Sequence, residues 1–126
     1  MSHYPAFPQR SPEELLSLST SVLSGAVVVT AAGDVDAVTV PRLLGELAAV
    51  LGSRPGQRLV LDMARVTFLG SHGLAMVVDV ANRARGHGME FGLVVGDRHT
   101  VIRALEVTGV ADTIALYHSL PDALGR

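Results

Sequence analysis

From residue 15 onward the chain switches between two periodicities. Residues 15–23 (LLSLSTSVL) alternate apolar and polar, as a strand with one buried face does, and residues 26–32 (AVVVTAA) are almost wholly apolar. Ser24-Gly25 between them supplies a two-residue turn, so the pattern predicts an opening β-hairpin. GDVDAV, residues 33–38, reads as a loop. In residues 39–52 (TVPRLLGELAAVLG), Val40, Leu43, Leu44, Leu47, Val50 and Leu51 keep the i, i+3, i+4, i+7 spacing of an amphipathic helix. Thr39 is placed to cap it, Pro41 suits its first turn, and Gly52 is placed to end it.

The second half repeats the alternation. RLVLD, residues 58–62, is short and nearly all apolar, as in a strand buried on both faces with parallel neighbours. A further short run, VTFL, leads into the polar knot Gly70-Ser71-His72-Gly73. Leu74, Val77, Val78 and Ala81 then define the stripe of a helix starting near Leu74, with Arg83 and Arg85 at the favourable end of its dipole and Gly86 closing it. MEFGLVV reads as a strand. DRHTVIRALEVTG reads as a helix with Val101, Ile102 and Leu105 on one face. TIALY is a last strand, and SLPDAL a short helix capped by Ser119. The sum is an α/β fold, a β-hairpin followed by αβ units with a mostly parallel central sheet flanked by helices. One domain is expected over residues 14–126, preceded by a disordered lead-in, residues 1–13, that carries three prolines.

Composition narrows the chemistry. With 48% hydrophobic and 17% charged residues, the 126-residue chain can bury a core without help. A net charge of −2 and the lack of any basic run argue against a nucleic-acid partner. The absence of cysteine excludes disulfides and thiolate chemistry. No window has the apolar length of a membrane span or of a signal peptide, so a cytoplasmic protein is expected.

The catalytic motifs fail on their specific elements. A nucleophile elbow needs glycine two residues before and after its serine; Gly73 fits the second place, but Leu69 occupies the first. The five histidines, at 3, 72, 87, 99 and 118, make no i, i+4 pair, so no metal site is expected. Gly-Ser-His-Gly lacks the lysine or third glycine of a phosphate-binding loop, and no cofactor is expected. Ser71 remains, with two readings open. It can be an N-cap, a role worth about 1 kcal/mol, or an accessible acceptor at which a phosphate of roughly −1.5 to −2 charges remakes a binding face. His72 can fill a polar surface position or, since imidazole titrates near neutrality, respond to pH. Asp34 and Asp36 can cap and solvate their loop or touch a partner.

Gly33-Asp34-Val35-Asp36 is similar to G-E-L-D, and Phe68-Leu69-Gly70-Ser71-His72-Gly73-Leu74 to F-(M/I)-D-S-(S/T)-G-L, both motifs of the STAS domain of bacterial anti-sigma factor antagonists. With Thr108-Gly109-Val110 after the third helix, the resemblance covers about residues 16–124. It implies a STAS fold and a partner-switching role, not an enzyme. The unphosphorylated protein would bind an anti-sigma factor of the GHKL serine-kinase type and free a sigma factor. Phosphorylation by that partner, at the position filled by Ser71, would abolish binding, and a serine phosphatase would restore it. The resemblance puts Asp34, Asp36, Gly70, Ser71, His72, Gly73 and Leu74 on the partner-binding face. An alternative is a non-phosphorylated STAS module within a larger complex, a stressosome or transport assembly. The chain departs from the motif at Gly70, where the family has aspartate, and at His72, where it has a hydroxyl residue.

Overall fold

The computed structural model describes residues 15–125; the expected lead-in, residues 1–13, lies outside them. Five strands form one sheet in the order β1-β2-β3-β4-β5. β1 (Leu16–Leu23) and β2 (Ala26–Val35) make the antiparallel hairpin, joined by Ser24 and Gly25 at φ +50° and +78°. Two positive φ values in a two-residue loop match the right-handed twist of the strands, so this turn fixes the register from Leu23↔Ala26 onward. β3 (Arg58–Leu69), β4 (Phe91–Val94) and β5 (Ala115–Tyr117) follow in parallel.

Between them run α1 (Val40–Ser53), α2 (Ser71–Gly86) and α3 (His99–Val107), then a 3-10 turn (Val110–Asp112) before β5 and α4 (Leu120–Ala123) after it. The apolar stripes of α1, α2 and α3 pack with one face of the sheet, Leu43, Leu47, Met76, Val80, Val101 and Leu105 meeting Val29, Leu61, Met63 and Leu93. The other face carries a smaller cluster, Ala26, Val28, Val60 and Val94, under Ala123 of α4. The Ser119 hydroxyl accepts the Asp122 amide at 3.3 Å and starts α4 as expected.

Four expectations are corrected. The expected loop at residues 33–38 is strand as far as Val35, because Gly33 stays paired with both neighbours. Its φ of +120° and missing Cβ let the Leu15 carbonyl approach where a side chain would stand. The runs 58–62 and 66–69 are one twelve-residue strand, continuous through the fully buried Met63. α1 ends at Ser53, past Gly52, where the Arg54 amide closes onto the Val50 carbonyl. Finally, α2 begins at Ser71, three residues before Leu74, and buries Gly73, Met76, Val77, Val80 and Ala84, leaving Leu74 and Ala81 half-buried and Val78 exposed.

Candidate switch site

The carboxyl ends of β2 and β3 and the starts of α1 and α2 meet at one end of the sheet. Val35 pairs with Leu69, and one residue on, the Gly70 amide donates to the Val35 carbonyl at 3.0 Å. This bond ties the start of α2 to the end of β2. Gly70 is the residue that precedes the helix, in extended conformation (φ −90°, ψ −178°), and its carbonyl accepts the Leu74 amide at 3.0 Å. Ser71 therefore opens the helix from within and does not cap it. Among the described residues no side chain caps this helix start, so the first amides of α2 and the positive end of its dipole stay open.

Ser71 and His72 are both exposed, and Gly73 is buried. A Cβ on Gly73 would stand 2.6 Å from Leu69 Cδ1 and 2.7 Å from Val35 Cγ1. Only glycine lets the first turn of α2 lie this close to the strand ends. That contact rotates the helix so that Ser71, Ala75 and Val78, spaced i, i+4, i+7, face outward while Leu74 sits half-buried at the margin.

Asp34 lies opposite Phe68 in the sheet, and its carboxylate accepts the Thr67 hydroxyl at 2.7 Å. Asp36 turns its carboxylate onto the amides of Val38 (3.0 Å) and Thr39 (3.1 Å), an Asx turn that leads into α1. Thr39 is fully buried, and its hydroxyl points away from α1: it donates to the Asp34 carbonyl at 2.7 Å and accepts the Asp36 amide at 3.0 Å. The expected capping of α1 by Thr39 is thus replaced by a cross-brace of the loop, with Asp36 satisfying the amides ahead of the helix. Asp34, Asp36, Gly70, Ser71, His72, Gly73 and Leu74 are brought to one end of the molecule. Asp34 and Asp36 both have structural work there.

Two side chains not singled out in the sequence complete the surface. Phe68 is 52% exposed and Val38 61% exposed, unusual for large apolar residues flanking a buried core. The Phe68 ring lies against Gly70, 3.0 Å from where a Cβ at that position would be. With Val78, 39% exposed on α2, they make an apolar rim around a polar helix start. Alternation alone counts Phe68 as core; only its position at the strand's last turn exposes it.

Chemically, the arrangement offers a hydroxyl and no machinery to activate it. Among the described residues nothing hydrogen-bonds the Ser71 hydroxyl, and no three His, Asp or Glu side chains gather as metal ligands. No helix among them is long and apolar enough to cross a membrane. A cleft of about 320 Å³ lies at the opposite end of the strands, lined by Arg58, Arg85, Phe91, Ile114 and Tyr117. Its two cations are already engaged, Arg58 by Glu90 and the Ala123 carbonyl, Arg85 by Asn82.

Residues 17–123 match the family model of the STAS domain. The chain belongs to the STAS domain family. It is 28% identical over 114 residues to the anti-sigma-F factor antagonist RsfB of Mycobacterium tuberculosis, spanning 90% of this chain and 91% of that protein. The crystal structure of an anti-sigma factor antagonist from Mycobacterium paratuberculosis is similar at 32% identity and a TM-score of 0.80, over 87% of this chain and 92% of that one. An anti-sigma-factor antagonist (STAS) domain protein from Planctomyces limnophilus shares the fold at 17% identity and a TM-score of 0.71, covering 85% and 93% of the two chains.

Proposed function

We propose that this STAS domain is a cytoplasmic anti-sigma factor antagonist, a binding module and not a catalyst, whose partner is an anti-sigma factor serine kinase and whose switch is phosphorylation of Ser71. The observation that carries the reading is the exposed Ser71 at an uncapped helix start, ringed by the exposed apolar side chains of Val38, Phe68 and Val78. The names of its mycobacterial relatives support the antagonist role.

The physical logic runs from neutral to charged. A partner that covers Val38, Phe68 and Val78 buries apolar surface and closes over a neutral hydroxyl. A phosphate there brings about −1.5 to −2 charges beside Asp34 and Asp36, and the partner would have to desolvate them. Within the antagonist the same phosphate is well placed, since the open amides and dipole of α2 favour an anion. Binding is lost while the fold persists, and a serine phosphatase restores the first state. Gly70 in place of the family's aspartate leaves the serine without a neighbouring carboxylate, so the kinase must orient the hydroxyl itself.

The test is a transfer assay with the cognate anti-sigma factor and γ-labelled ATP. Label should enter wild-type protein at Ser71 and be absent from Ser71→Ala. Label on both proteins, or on neither while the two partners bind, would remove the switch from this reading.

A further inference from the structure

We propose that β1 is an association edge through which two copies of this chain join antiparallel about a two-fold axis at Thr20, making one ten-stranded sheet. β1 is the outermost strand, and among the described residues it has a strand partner on one side only. Folded proteins protect such an edge with charges, proline, bulges or shortness. β1, LSLSTSVL, contains no charge and no proline and pairs with β2 in unbroken register over eight residues. The opposite edge, β5, is three residues long. One open edge and one blunted edge give a closed pair, whereas two open edges would give a fibre.

The backbone sets the register. In an antiparallel strand alternate residues direct both amide and carbonyl to the same side. The Leu16 carbonyl points outward, since the Arg42 guanidinium on α1 reaches it at 2.6 Å. By alternation the outward-facing residues are then Leu18, Thr20 and Val22. An axis through Thr20 pairs Thr20 with its own copy and Leu18 with Val22 of the second copy, twice, so that every outward group of the three finds its partner. Arg42 marks where the open stretch ends. The same register covers Val22, 50% exposed, with Leu18, and sets Ser19 beside Ser21 on the other face.

One feature opposes the pairing. Glu46 of α1 accepts the Thr20 hydroxyl at 2.7 Å, and the axis brings it toward its copy. Like charges across a strand pair weaken it, so the dimer is reversible and Glu46→Gln should tighten it. Ser71 lies away from this edge, at the junction of β2, β3 and α2, so both switch sites stay accessible in the pair.

Sedimentation equilibrium of the full chain tests the proposal. The mass should rise with concentration toward that of two chains. Val22→Pro removes one outward amide without touching the bonds to β2 and should raise the dissociation constant at least about tenfold. Ser19→Lys, which leaves the backbone intact, should do the same if the proline variant does not fold. Because the chain has no cysteine, a register test is available: Ser19→Cys and Ser21→Cys proteins should form a disulfide-linked pair when mixed, and far less alone. A mass that stays that of one chain at every concentration overturns the proposal. So does a dimer that both edge variants leave intact, which would place the interface elsewhere.

Discussion

The starts of α1 and α2 lie at the same end of the sheet, yet one is closed by side chains and the other is left open. Ahead of α1, the Asp36 carboxylate takes two backbone amides, and the buried Thr39 hydroxyl spans from the Asp34 carbonyl to the Asp36 amide. At α2 a glycine without a side chain holds the equivalent position, and Ser71 and His72 face solvent. Buried polar groups must be satisfied, so the loop before α1 is committed to structure. An exposed and unengaged hydroxyl carries no such obligation, and its modification costs the fold little. A binding surface that is to be switched needs both: a rigid frame and, beside it, one group free to change.

Substitutions on the two sides sharpen the contrast. Thr39→Val keeps the shape of the side chain but strands the Asp34 carbonyl and the Asp36 amide in a buried site; the expected loss is about 2–3 kcal/mol, read as a lower midpoint of urea unfolding at unchanged slope. Gly73→Ala places a methyl group against Leu69 and Val35 and should cost about 1–2 kcal/mol, the price of overpacking a tight contact. Ser71→Ala should change stability by no more than about 0.5 kcal/mol, because Ser71 caps nothing. A loss near 1 kcal/mol at Ser71 would mean that it serves as a cap after all, and the two helix starts would then be alike.

The contrast also marks how far the sequence could be read. The hairpin was legible because Ser24-Gly25 between two apolar runs leaves the chain few alternatives. The helix of residues 40–53 was legible from its periodicity, and the family motifs located the Ser71 end of the fold. The continuity of β3 was hidden by Arg65, an exposed charge beside the irregular pairing of Ala32 with β3 that breaks the apolar pattern without breaking the strand. The rotation of α2 was hidden for a different reason. Its decisive contact is made by Gly73, which has no side chain to register in a hydrophobic pattern, so the stripe through Leu74 and Val78 was read about one position out of place. Phe68 and Val38 were missed because apolarity in sequence predicts burial, and only the end of the sheet shows these two left outside.

The central claim, that Ser71 is a switch and not a structural cap, is most directly tested by calorimetric titration of the cognate anti-sigma factor with wild-type, Ser71→Ala, Ser71→Asp and Ser71-phosphorylated protein, each first shown by circular dichroism to keep the wild-type fold. Ser71→Ala should bind as wild type does, while Ser71→Asp and the phosphoprotein should bind at least about a hundredfold more weakly, a difference of a few kcal/mol. Equal affinity for all four would contradict the account, leaving Ser71 as an exposed residue of a binding face without a switch.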